Sequence, residues 1–251
     1  MADLTGREIR DAGTPDSEWL PWLAAQNIRQ ISLADLAADA QRLVVLAPHP
    51  DDEILACGGL LAGWTLQGHA GIVIAVTDGE ASHGTADIKA CARMAACRAE
   101  ESQAGLRTLG IASPGITRLG IADGKVGDHL DSLAQQLQTT LRPTDVVVTT
   151  WQLDGHPDHE ATGRAAAQAC AASGARLLQA PVWMWHWSQP GDTRVPWPAL
   201  HALSLGDVAL KMKRKALQRH RSQLIDRGDE PPVLVPSIVE RASRRQEFFF
   251  L

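Results

Sequence analysis

Three short runs of aliphatic and β-branched residues, "LVVLA" (43–47), "GIVIAVT" (71–77) and "DVVVTT" (145–150), constrain this chain more than any other feature. Each reads as a strand buried on both faces, of the kind found in parallel sheets. Longer Ala- and Leu-rich stretches of helical character follow them, over about Ile54–Gln67, Ile88–Leu109 and His159–Ala172, and a further helix spans about His129–Leu141. Strand and helix alternating in this way predict an α/β fold: a single Rossmann-like domain, its mostly parallel sheet covered by helices on both faces.

Upstream, helical patterns at Ser17–Ile28 and Leu33–Gln41 predict an N-terminal helical extension (1–42) ahead of the main domain (43–251). Downstream, "APVWMWHW" reads as another strand, with Trp183, Trp185 and Trp187 on one of its faces. Those rings suit core packing or a wall on which a sugar could stack. Of the 251 residues 45% are hydrophobic, enough for one large core, and no linker divides the chain.

Net charge is −5, but from Lys211 onward ten Lys and Arg face five Asp and Glu. Leu210, Leu217 and Leu224 recur there every seven residues, so these charges decorate an amphipathic helix, and no nucleic-acid partner is expected. The start of the chain resembles no secretory signal, and no apolar run approaches the ~20 residues of a transmembrane segment. A soluble, cytoplasmic protein is expected; oligomeric state is not legible. Cys57, Cys91, Cys97 and Cys170 form no Cys-x-x-Cys pair and read as buried small apolar residues.

"PHPDDE" (48–53) directly follows the first strand, where α/β sheets bind ligands. Pro48 and Pro50 stiffen the backbone on either side of His49. A capping role toward the next helix would account for one carboxylate and leave the others unexplained. The third strand ends in a similar way, with "HPDHE" (156–160). Two clusters of imidazole and carboxylate at strand ends of one sheet converge on one pocket. Their chemistry suits a first-row metal, most often zinc, held by three ligands with a position left open. Of the neighbours Asp51 and Asp52, one should be a ligand and the other a base.

"PHPDDE" followed about a hundred residues later by "HPDH" resembles the LmbE-like (PIG-L) family of zinc-dependent N-deacetylases. "TDGE" (77–80), "RAEESQAGLRTLG" (98–110), "LGIADG" (119–124) and "KALQRHRSQ" (215–223) fall in the family's order, so the resemblance runs from about Leu43 to Gln223. The first forty residues lie outside it. The chain also contains no tyrosine, so no phenol can meet a developing oxyanion.

The resemblance implies that His49, Asp52 and His159 bind zinc, with iron(II) as the other candidate. It implies that Asp51 is the general base and that a protonated His156 stabilises the oxyanion. Either of these two could protonate the leaving amine. Asp158 would orient an imidazole or cap the helix near His159. Arg98, Asp123 and Glu80 would contact an N-acetylated sugar or glycoconjugate, most often an N-acetylglucosamine unit. For Arg98 the alternative is an ion pair with Glu101; for Asp123, a turn with Gly124. His220 is expected to be a buried structural histidine. The implied activity is hydrolysis of an N-acyl group, with a non-catalytic sugar-binding protein as the alternative. His49, Asp51 and a distant His also match an iron facial triad, but those sites usually occupy all-β barrels.

Overall fold

A computed structural model of the chain describes residues 7, 9, 13–40, 42–84, 86–112, 115–228 and 230–251. Among them eight strands form one sheet: β1 (Arg29–Ile31), β2 (Arg42–Ala47), β3 (Ala70–Thr77), β4 (Ile116–Ile121), β5 (Asp145–Thr150), β6 (Arg176–Ala180), β7 (Leu200–Ser204) and β8 (Gln246–Phe250). Their order is β1-β7-β8-β6-β5-β2-β3-β4, and only β8 runs antiparallel to its neighbours.

The helices are α1 (Asp16–Ala25), α2 (Leu33–Ala37), α3 (Asp52–Leu66), α4 (Ile88–Thr108), α5 (Leu130–Thr140), α6 (Pro157–Ser173), α7 (Met184–Trp187), α8 (Asp207–Leu217), α9 (Arg221–Leu224) and α10 (Pro236–Ala242). The period of two in the strands sorts the core. Leu43 and Val45 of β2, with Val146 and Val148 of β5, pack against α3, α4, α8 and α10. Val44, Leu46 and Val147 point the other way, to α5 and α6. Both faces are covered, so the strands carry no polar side, as their sequences require.

From β2 the chain builds β3 and β4 on one side, then returns to place β5 on the other. The β2–β5 boundary is therefore a topological switch point, where a crevice opens beyond the strand ends. "PHPDDE" leaves β2 there and "WQLDGHPDHE" leaves β5.

Four sequence expectations need correction here. The extension is not purely helical, because β1 adds to the sheet edge on β7. "APVWMWHW" is not a strand: β6 ends at Ala180, and the chain turns into α7. The Asp154 carboxylate causes this, accepting the backbone N–H groups of Val182, Trp183 and Met184. The three rings consequently diverge. Trp185 packs edge-on against Trp19, Trp187 donates to the Asp154 carbonyl, and Trp183 lines the crevice. Cys97 is exposed rather than buried, while Cys57 and Cys170 are buried. The heptad of leucines is interrupted too, since α8 stops at Leu217 and α9 starts at Arg221.

Candidate active site and metal centre

The acidic triplet at Asp51–Glu53 is tolerated because its members point to three different partners. Glu53 accepts Ser102 Oγ at 2.6 Å and the Asp51 N–H at 3.0 Å. Asp51 Oδ2 meets Arg98 Nη2 at 3.0 Å. Asp52 Oδ2 lies 3.2 Å from His49 Nδ1 and 3.2 Å from His159 Nε2. Asp51 sits at the N-terminus of α3, yet its carboxylate makes no capping bond.

Asp51 is the one non-glycine residue with positive φ among those described, at 142°. Such a conformation costs on the order of 1–3 kcal/mol and persists only where its surroundings enforce it. Arg98 supplies that enforcement: Nη2 also donates to the Pro50 carbonyl at 2.8 Å, and Nη1 to the Gly79 carbonyl at 3.0 Å. Gly79, at φ 64°, is required because a Cβ there would collide with the guanidinium. Arg98 therefore grips the loop that carries Asp51, and its expected partner Glu101 instead binds Ser222.

Each imidazole is fixed from behind. His159 Nδ1 lies 2.8 Å from Asp154 Oδ2. His49 Nε2 lies 3.2 Å from both Asp158 Oδ2 and Asp123 Oδ1. Asp158 is in turn held by the N–H groups of Gly124 and Val126, and Asp123 by that of Ala81. With one ring nitrogen of each histidine donating to a carboxylate, the other faces Asp52. Carboxylates placed this way fix ring orientation and tautomer at metal sites.

Those distances fit a metal. A tetrahedral zinc with bonds of ~2.0–2.1 Å separates its ligand atoms by about 3.3 Å. The 3.2 Å spacings from Asp52 Oδ2 to His49 and His159 match that edge. The groups whose ligand atoms all lie within 4.8 Å of one another are His49–His156–His159 and His49–Asp123–Asp158, and neither includes Asp52. The second spends the His49 nitrogen that the acids orient. The shared 3.2 Å approach of Asp52 Oδ2 to both rings points to His49, Asp52 and His159 as the residues that would hold the ion, with His156 beside them; the same oxygen accepts the His49 N–H at 3.0 Å.

Electrostatics separate the two aspartates. Burial raises Asp52, but His159 and His49 outweigh it and hold that carboxyl well below its ordinary range. Burial pushes Asp51 up to about 7, opposed by Arg98 and assisted by Asp52 and Glu53. His159 reaches about 9 despite burial, through Asp52 and Asp154. His49 is likewise carried well above its usual value, against burial, by Asp123, Asp158 and Asp52.

His156 behaves differently, which corrects the expectation of an imidazolium there. Burial, then the charges of His159 and His49, push it down to about 3. Its Nδ1 also accepts the Asp158 N–H at 3.3 Å, as the cap of α6, so that nitrogen carries no proton. The neutral ring keeps its hydrogen on Nε2. Asp158 itself does not cap the helix; it faces His49.

These groups border a cavity of about 310 Å³ that also reaches Arg98, Asp123, Trp183 and Gln223. Glu80 does not line it. Its carboxylate accepts the Asp123 N–H at 2.8 Å and so braces the turn rather than facing a ligand. Asp154 is the contributor that sequence reasoning passed over as an orienting group. Its signal was a short Asp-Gly turn five residues before His159, made possible by Gly155 at φ 96°.

The family model for GlcNAc-PI de-N-acetylases (PIG-L) matches residues 44–170, from within β2 to within α6. The chain belongs to the PIG-L family. Solved structures share the PIG-L fold over most of the chain. A conserved protein, TT1542, from Thermus thermophilus is 26% identical, with a TM-score of 0.59 over 83% of this chain and 93% of its own. N,N'-diacetylchitobiose deacetylase from Pyrococcus horikoshii is 21% identical, with a TM-score of 0.57 over 86% and 82%. The A40926 pseudoaglycone deacetylase Dbv21 is 20% identical, with a TM-score of 0.64 over 84% and 97%. No curated protein matches the chain.

Proposed function

We propose that this PIG-L protein is a metal-dependent N-deacetylase acting on an N-acetylglucosamine-type sugar, glycoside or glycolipid. One observation carries the reading: Asp52 Oδ2 stands 3.2 Å from both His49 Nδ1 and His159 Nε2, beside an Asp51 whose pKa is about 7. The base thus stands beside two of the ligands on the turn after β2, and His159 reaches them from α6. The names of two similar structures, a diacetylchitobiose deacetylase and a pseudoaglycone deacetylase, are in keeping with it.

A divalent ion bound there would polarise the amide carbonyl and lower the pKa of water to ~7. The chain's own residues do the rest. Asp51, held by Arg98, takes the proton from the attacking water, a task that favours a base with a pKa near the working pH. His156 presents Nε2–H to the oxygen of the former carbonyl as negative charge gathers on it. With His156 neutral, Asp51 is the group holding a proton to return, so it delivers that proton to the departing amine. Trp183 and Gln223 are placed to border the sugar, and the cavity of about 310 Å³ suits one small unit, within the ~300–1,000 Å³ of small-molecule sites.

The test is acetate release from a panel of N-acetylglucosamine glycosides and lipids, assayed as purified, after chelation, and after return of zinc or iron(II). Acetate that appears, stops with chelator and resumes with metal supports the reading. Sugar binding without any acetate release would leave a non-catalytic binding protein.

A further inference from the structure

A second cavity, of about 40 Å³, lies behind Leu55 on the side of the sheet covered by α3, α8 and α10. On this measure a water needs ~10–15 Å³, so there is room for a small polyatomic group. Arg241, Arg244, Lys213 and Glu247 line it. Lys213 is matched: Nζ binds Glu247 Oε1 at 2.7 Å, and that carboxylate also caps the kinked second half of α3 through the Gly59 and Leu60 N–H groups. Arg244 is matched too, with Nη2 2.5 Å and Nε 3.1 Å from Asp16, over the Trp185 ring.

Arg241 is not. It is only 7% exposed, and its Nη2 donates to the Thr14 carbonyl at 2.8 Å. Its Nε stands 4.0 Å from Asp16 Oδ1, too far for a hydrogen bond, and Nε and Nη1 have no acceptor among the described residues. Among the described residues three buried cations thus share two buried carboxylates, the exposed Glu240 is the other acid acting on Arg241, and two of its donor nitrogens have no acceptor. An unpaired buried charge is among the costliest features a fold can carry.

We propose that this cavity binds one small monovalent anion, a halide or a carboxylate no larger than acetate, against Arg241 Nε and Nη1. One negative charge would balance the buried groups, and a space of about 40 Å³ suits an anion of a few heavy atoms. The site would tie α10 to α3 and α8, so its occupancy stabilises the folded state. This inference does not rest on the deacetylase reading.

Two measurements test it on the metal-loaded protein. Crystals soaked in sodium bromide should show an anomalous peak within hydrogen-bond reach of Arg241 Nε or Nη1. In solution, chloride, formate and acetate at constant ionic strength should raise the melting temperature saturably, by several degrees, and citrate should not. Arg241→Gln should abolish that response, whereas anions bound at the metal centre would act equally on both proteins. A soak with no peak at Arg241, or an anion response unchanged in Arg241→Gln, overturns the proposal. If that variant does not fold, the bromide soak of the wild type decides alone.

Discussion

Asp154 Oδ2 lies 2.8 Å from His159 Nδ1, while the same carboxylate collects the N–H groups of Val182, Trp183 and Met184. One buried acid thus sets the tautomer of a proposed ligand and the turn that brings Trp183 to the cavity. Removing an orienting carboxylate of this kind typically costs ~10–100-fold in metal affinity. Asp154→Ala should therefore weaken zinc binding by about that factor in a chelator competition titration. Wild-type affinity in this variant would remove His159 from the ligand set.

Metal uptake should release protons. Without metal, His159 titrates at about 9 and His49 well above its usual value, so both rings are charged at pH 7. A metal takes only neutral imidazoles, so each ion bound displaces about two protons. At pH values where both rings are charged the apparent affinity should then fall by up to about a hundredfold for each unit the pH drops. Calorimetry in buffers of different ionisation enthalpy counts those protons; a count near zero would mean that these histidines are not the ligands.

Asp51→Asn should keep the metal and lose most turnover, because it removes the base and retains His49, Asp52 and His159. Arg98→Gln should be milder and more telling. Arg98 lowers the pKa of Asp51, so its loss raises that pKa and moves the acidic limb of the kcat/KM profile to higher pH. An unmoved limb would show that the limb does not report Asp51.

His156→Ala should retain metal and lose about two to three orders of magnitude in turnover, the usual effect of deleting one oxyanion donor. Because burial, the largest cause, keeps the ring neutral whatever the charge of its neighbours, the basic limb of the profile should stay in place. Loss of metal in this variant would make His156 a ligand, as its proximity to His49 and His159 allows.

The strands that were legible are those buried on both faces. "LVVLA", "GIVIAVT" and "DVVVTT" admit no solvated side, and their elements match the sequence bounds to within a residue. The strands passed over are an edge strand with a charge in it, a very short one, and the run β6, β8 and β7, whose pairing includes the antiparallel β8. β4 carries Arg118 within "ITRLGI", β1 has three residues, and β7 and β8 pair in a region that local pattern alone does not mark. At the site, residue types and spacing pointed to the right turns. What they could not show is how each carboxylate is spent. Glu80 and Arg98 look like ligand-binding groups in a string of letters, yet Glu80 is spent on a backbone N–H and Arg98 on two backbone carbonyls and the Asp51 carboxylate, partners that only the folded loops supply. His156 is the same lesson in charge: its state depends on burial, then on two cationic neighbours and a helix cap.

His220 gives a test that is independent of the metal. It is fully buried, both ring nitrogens lack a partner among the described residues, and its Nε2 would lie 3.1 Å from a Cβ added at Gly105. Burial lowers its pKa; Glu53, Glu101 and Asp52 oppose the shift and Arg98 reinforces it. The unfolded chain takes up a proton below its ordinary pKa of ~6.5, whereas the native ring resists one. Stability is therefore undiminished above pH ~6.5 and is lost as pH falls below it, by at most about 1.4 kcal/mol per pH unit from this group. His220→Leu removes that term. Urea unfolding at pH 7.5, 6.5 and 5.5 should show wild type losing stability relative to the variant at each step down. Parallel pH profiles would mean that the ring takes a proton as readily in the fold as outside it, and that the pocket around Gly105 opens to water.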